Sequence, residues 1–544
     1  MTENSAHAEF DVVILGSGAA GLTAALTTSQ AGMRTLILEK SDKIGGTSAM
    51  SGAGTWVPAN HIMLSKGLAD SPENALQYIK AVMPKAWGSR ESDRWQAFTT
   101  HAPDMLKMVD DLTPIEWEVL SEPDPVLEAP GAVKYGRMLS PAPMKLKAQI
   151  GDFARKLRPS TQPHDLTYEE MIWANFIHKP IIGHLKHATK ILKRKLLGFE
   201  TQGSALIAGL LKGCLDHGCE LISSAAATDL IKNETGQIRA VTYRQNDQTR
   251  TVATRHGVVI ATGGFEWDAD LFGAHFPKPT DLICSPRTNT GDGQKLARAV
   301  GAELAYMGEA NIAGALPTKY EGHVHGMPLR FQADRHVIVV DQTGHRFGNE
   351  FDFNFGELLL RKDADTGSYP HLPAWVIGDA NWIRNTPIIP IYARNQKNWL
   401  IKSTTLSELA EKLDLSAEAL DWTIERFNTF ARQGADEDFG RGKSGFDKLV
   451  SGKRGTMAPI ERPPYYAAPF NISLMGTKGG PMTDACGRVL RPDGSFIPGL
   501  FAAGNAMANP FGTRAAGTGT TIGPAMTWGY ICGLTLSKSE PYQA

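Results

Sequence analysis

Gly16, Gly18 and Gly21 stand in the pattern G-x-G-x-x-G, directly after an apolar run at 12–15 and directly before an Ala/Leu-rich stretch. A turn of this composition, with Ser17, Ala19 and Ala20 between the glycines, offers backbone N–H groups to a dinucleotide pyrophosphate. Gly16 permits the tight turn, Gly18 lets the backbone approach the phosphates, and Gly21 lets the helix lie against the strand. A second apolar run at 35–38 ends in Glu39, where a carboxylate accepts the hydroxyl hydrogens of an adenosine ribose and disfavours a 2′-phosphate.

Further clusters of small residues extend this site. Lys40 leads into IGGTSAMSGAG, in which Gly45, Gly46, Thr47, Ser48, Ser51, Gly52, Ala53 and Gly54 supply amides and hydroxyls without bulk. Thr262, Gly263 and Gly264 follow an apolar strand and mark the carboxyl edge of a sheet, where such folds bind ligands. Asn289, Asp292 and Gly293 precede a helix at 294–300, with Asp292 expected as its cap, and Ala227 opens a short strand of the same region. Near the far end, Gly504 and Asn505 follow another strand. Gly519, Thr521 and Ile522 open the final helix, whose N-terminus suits the negative charge on the N1/O2 edge of a reduced isoalloxazine.

Strands are expected at 12–15, 35–38, 220–222, 227–232, 238–243 and 336–341, and helices at 91–111, 168–176, 203–218 and 406–430, the last with Ser416 as a cap. The pattern from 72 to about 200 is mainly helical, broken by a proline-rich stretch at 122–143. A change of composition after about 312 suggests a smaller α+β unit inserted into the nucleotide-binding one. The chain thus reads as α/β, with a dinucleotide-binding domain of Rossmann type built from residues 1–284, carrying the helical insertion 72–200, and 458–544, and a smaller α+β domain at 285–457.

Ordinary composition and a formal net charge of −1 exclude a nucleic-acid partner, and the five cysteines lack metal-ligand spacing, so no metal is expected. Unpaired cysteines and the lack of a leader or a long apolar run suggest a reducing cytoplasm. The segment KHATKILKRKLLG at 186–198 reads as the solvated face of an ordinary helix, with contact to a membrane surface as the alternative.

The motifs GSGAAG, EKSDKIGGTSAMSGAG, ATGGFE, NTGDG, DFGRG and GLFAAGN…GTGTTIGPAMTWGY resemble, in order and along nearly the whole chain, the FAD-dependent family of 3-ketosteroid dehydrogenases and fumarate-reductase flavoproteins. The ending TIGPAMTWGY is most similar to the ketosteroid Δ1-dehydrogenase branch. This resemblance implies non-covalent FAD in the Rossmann-type domain, a catalytic role for the α+β domain at 285–457, and removal of a proton beside a ketone while the neighbouring carbon gives a hydride to flavin N5. It further implies that the Gly519 amide binds the ketone oxygen. Two tyrosines of that branch are replaced: Ala515 stands where one holds the carbonyl, and Asn354, after RFGNE, stands where another is the base.

Beside Ala515 lies Arg514, matching the fumarate-reductase arginine that binds a carboxylate. It is expected to clamp a carboxylate or an enolate, or to pair with a local acid. Tyr135, Tyr168, Tyr320 and Tyr466 are the candidates for the missing base. The expected function is desaturation of a cyclic ketone, a 3-ketosteroid or a smaller ring such as cyclohexanone or a 4-oxocyclohexanecarboxylate, with an electron acceptor that the motifs do not name. The alternatives are reduction of an unsaturated carboxylic acid and a flavin-binding protein without catalysis.

Overall fold

Five parallel strands, the short Glu220–Ile222 among them, meet at one edge of an eight-stranded sheet. In the computed structural model, which describes residues 9–540, Glu9–Leu15 lies between Thr35–Leu38 and Gln248–Ile260, and Phe496–Ala502 pairs with the latter. Their register aligns Leu15 with Leu38 and Ile260, and Ile260 with Ala502. The carboxyl ends are therefore level, and the loops beginning at Gly16, Glu39, Ala261 and Ala503 open side by side. The expected strands at 220–222, 227–232 and 238–243 form as Glu220–Ile222, Ala226–Lys232 and Ile238–Gln245 in the same sheet.

The first helix, Ala19–Gln30, is buried from Ala19 to Ser29, as suits a helix apolar on all sides. It packs on the closing helix Ile522–Ser537. Glycine makes that contact possible, because a Cβ on Gly529 would lie 2.2 Å from the Ala20 carbonyl oxygen. Both ends of the chain thus enter one core, which also takes Tyr78, Trp95 and Phe98 from the helical stretch after residue 72.

A second body centres on the antiparallel strands Val337–Val340, Trp375–Gly378, Tyr465–Pro469 and Ile401–Ser403. Ile338 and Val340 face Leu409, Leu420 and Phe427, whereas Val337 and Val339 face Phe331, Phe355 and Phe470, so the strand is buried on both sides. Its packing draws on Phe265, Phe276, Ile472 and Leu474, beyond the expected limits 285 and 457. The helix expected over 406–430 is two, Leu406–Leu413 and Ala417–Gln433, because Asp414 adopts a left-handed conformation. Ser416 caps the second.

The motifs RFGNE and DFGRG meet inside this body. Arg346 binds Glu350 and Asp436, and Arg441 binds Glu350 together with the carbonyls of Val337, Asp334 and Thr456, all four charged groups being buried. They are held for architecture, on the side of the sheet that carries the paired helices.

Candidate active site

One cavity of about 1020 Å³ runs along the carboxyl edge of the large sheet and under the second body. Gly16, Ser17, Gly18, Ala19, Ala20, Glu39, Lys40, Gly46, Thr47, Ser48, the run Ser51-Gly52-Ala53-Gly54, Ala227, Thr262 and Gly263 line it. Asn289, Asp292, Gly504, Asn505, Gly519, Thr521 and Ile522 complete this lining, so segments far apart in sequence share one groove. Gly21, Gly45, Gly264 and Gly293 lie behind the wall, where they permit close packing. A Cβ on Gly21, for example, would sit 2.0 Å from the Gly16 carbonyl oxygen.

The Glu39 carboxylate accepts from the Ser17 amide at 3.1 Å, the Ser17 hydroxyl at 2.6 Å and the Ser41 amide at 2.8 Å, which fixes it at the end of its strand. Lys40 binds Thr290 and Asp292, both at 2.6 Å. Asp292 is therefore not the expected cap: Gly291 holds the cap position without a side-chain bond, and Asp292 begins the helix Asp292–Ala299. Lys40 draws the carboxylate across to the opposite loop.

The groove fits FAD. Two helices, Ala19–Gln30 and Ile522–Ser537, point N-termini without their own capping side chain into it. Asn505 Oδ1 is buried on its wall with no protein partner, as a polar atom reserved for a polar ligand is.

Beyond the groove, Glu122, Tyr168, Arg330, Phe353, Asn354 and Thr518 line the remaining volume. Tyr168 begins the helix Tyr168–Ala174 immediately after Thr167, whose side chain forms a capping box with Glu170. Its ring lies on the glycine loop, 2.7 Å from where a Gly52 Cβ would be. Glu122 is close enough to the hydroxyls of Tyr168 and Thr518 for both to favour its charged form, as does the Arg330 charge. Burial, then the Glu122 charge, pushes the Tyr168 phenol well above its ordinary value. Burial also raises Glu122, against the opposing pull of Thr518 and Arg330. Arg330 is lowered by burial, donates to the carbonyls of Phe351 and Asp352, and leaves its Nε without a partner.

Gly519 has φ +93°, and a Cβ there would lie 2.6 Å from the Gly54 carbonyl oxygen, so only glycine suits the turn. Its carbonyl accepts from Trp56 and Gly523, while its N–H has no acceptor among the described residues.

The two positions that depart from the family pattern are bonded to each other. Asn354 Oδ1 accepts from the Ala515 amide at 2.8 Å, and Asn354 Nδ2 donates to the Ala515 carbonyl at 3.1 Å. Together the two bonds form an amide clip. Arg514 turns off the cavity wall, where Nε donates to Glu357 at 2.9 Å and Nη1 to the Val82 carbonyl at 3.1 Å. The local-acid pairing, not the substrate clamp, is the arrangement found.

Among the tyrosine candidates only Tyr168 lines the cavity. Tyr135 lies beneath the Lys134 ammonium, Tyr466 is on a strand opposite Gly378, and Tyr320 donates to the Pro159 carbonyl. Glu122 and Arg330 escape sequence reasoning, since the first sits among prolines and the second beside no motif. Only the Glu-Pro-Asp-Pro spelling at 122–125, an acid in a rigid turn, hints at either.

A two-body flavin dinucleotide site of this form defines an FAD-dependent oxidoreductase. The chain matches the FAD binding domain family over residues 11–522 and belongs to that family. It is 33% identical over 546 residues to the 4-oxocyclohexanecarboxylate 2-dehydrogenase of Sinomonas cyclohexanicum, covering 97% of this chain and 93% of that one. It is also 33% identical over 571 residues to the 3-oxosteroid 1-dehydrogenase of Mycolicibacterium smegmatis, covering 98% of each. The solved structure of 3-ketosteroid delta1-dehydrogenase from Sterolibacterium denitrificans, in complex with 1,4-androstadiene-3,17-dione, matches with a TM-score of 0.87 at 30% identity, over 98% of this chain and 100% of that one.

Proposed function

We propose that this protein desaturates a cyclic ketone next to its carbonyl, with Tyr168 and Glu122 moving the α-proton and the Gly519 amide holding the ketone oxygen. The observation that carries this reading is the convergence of that pair and that free amide on one cavity, against the glycine loop of the cofactor groove. Tyr168 Oη takes the proton from the α-carbon as its own proton passes to the Glu122 carboxylate. A buried phenol of raised pKa is a poor store of negative charge, and the relay spares it that charge. The electron pair of the broken C–H bond moves toward the ketone oxygen, where the Gly519 N–H stabilises it. When bound, FAD supplies the acceptor for the hydride leaving the β-carbon. Arg330, with its free Nε on the cavity wall, is the cation available to a carboxylate on the substrate ring.

The test is anaerobic bleaching of the flavin absorbance by cyclohexanone, 4-oxocyclohexanecarboxylate and a 3-ketosteroid. One of the ketones is expected to bleach it, and Tyr168→Phe is expected to slow that step. Bleaching by none of them, with reoxidation of the reduced flavin by an unsaturated acid but not by enones, would establish the reductase reading instead.

A further inference from the structure

We propose that the helix Pro180–Leu197, with Trp173 before it, is a docking surface for an anionic lipid bilayer. A helix on the surface of a soluble protein turns its apolar stripe inward. This one buries only Gly183 and turns a second stripe outward: Ile181, Leu185, Leu192 and Leu196 are 76%, 72%, 59% and 77% exposed. Their spacings of four, seven and four place them within an arc of about 60° at 100° per residue. Ile191 and Arg194 lie on the other side, half-buried against the protein. Trp173, on the preceding helix, is also 72% exposed and donates its indole N–H to Glu169.

Charge selects the occupant. The helix carries Lys186, Lys190, Lys193, Arg194 and Lys195 and no acidic residue. Glu170 pairs with Lys190 and Arg194, and Asp165 with Lys195, whereas Lys186 and Lys193 have no ion-pair partner among the described residues. An outward apolar stripe between lysines suits a helix lying in the plane of anionic headgroups. A two-fold contact between copies would set lysines against lysines, which disfavours self-association. No helix among the described residues is long and apolar enough to cross a membrane, so the contact would be to one face of it.

The same segment reaches the cavity. Ile172, Phe176, Ile177, His184 and Ile191 line it, as does Ile391 from the second body, which is itself exposed. Docking would bring this rim to the bilayer, a consequence for an apolar ketone that rests on the proposed function, whereas the docking itself does not.

The test is flotation of the FAD-loaded full chain with vesicles of phosphatidylcholine and phosphatidylglycerol in equal parts, and with phosphatidylcholine alone. The wild type is expected to float at least tenfold more on the anionic vesicles, less so at high salt. Two variants, Ile181→Ser/Leu185→Ser/Leu192→Ser/Leu196→Ser and Lys186→Glu/Lys193→Glu, are each expected to lose at least tenfold while keeping the flavin spectrum. None of these side chains lines the cavity. Equal flotation of the serine variant, or no flotation of the wild type, overturns the proposal. So does a wild-type dimer in light scattering that the serine variant converts to monomer without any vesicle binding. Flotation needs no turnover, so its outcome is independent of the ketone tests.

Discussion

Tyr168 and Glu122 share one electrostatic difficulty, since burial disfavours the charge on each. The phenol resists ionising because it is buried, and the buried acid resists it too, so its pKa rises above the ordinary 4.5. In the proposed relay the carboxylate form of Glu122 is the active one, so kcat/KM should fall as pH drops through a value above the usual carboxylate range. Glu122→Gln should lose that limb together with about 10²–10⁴-fold in rate. A pH profile of Glu122→Gln that keeps the limb would remove Glu122 from the reaction. Arg514→Ala should behave differently, because Arg514 does not line the cavity and its ion pair with Glu357 is half-exposed. Stability should drop by about 0–1 kcal/mol in thermal unfolding, with kcat nearly unchanged.

At the scale of elements, two linkages can be probed. The Asn354 clip holds the loop 513–517 against the helical turn Phe355–Leu360 through both polar groups of Ala515. Asn354→Ala strands them, and about 1–2 kcal/mol of stability and a several-fold rise in KM are expected, read by calorimetry and steady-state kinetics. In the second body, Arg346 outweighs burial to hold Glu350 below 4.5 and Asp436 below 3.8. Groups with depressed values stabilise the fold above their unfolded pKa and lose that contribution as pH falls through the folded one. Arg346→Met should therefore cost about 3–5 kcal/mol at neutral pH, and the gap from wild type should narrow below about pH 4. Fluorescence of Trp382 and Trp399, both in that body's core, follows the transition against pH; a gap that widens in acid would contradict this assignment.

For the molecule as a whole, the cofactor groove joins the first strand, the loop after it and the closing helix, so FAD bound there would tie the two chain ends. Removing FAD should lower the stability by the linkage free energy, about 2.7 kcal/mol when free FAD is a hundredfold above its Kd. Calorimetry of the apo and FAD-loaded protein checks this, and identical transitions would place the flavin outside the groove.

Local composition was enough to reveal the cofactor groove, because most of its lining is glycine, alanine, serine or threonine in loops at strand ends. The segments at Gly16, Glu39, Thr262 and Gly519 line the groove as their motifs imply. The substrate half was not legible in this way. Its groups are single side chains from unrelated elements, and a tyrosine is spelled alike whether it faces the cavity, as Tyr168 does, or a strand neighbour, as Tyr466 does. Sequence placed Arg514 near Gly519, but the side chain pairs with Glu357, distant in the chain. It likewise showed a basic helix at 186–198 without showing which face the protein would cover. Sequence by itself determined the cofactor and the family, because those depend on backbone geometry repeated along the chain. Tertiary packing alone decided which acid, which tyrosine and which helix face remain exposed to chemistry, because burial is a property of neighbours.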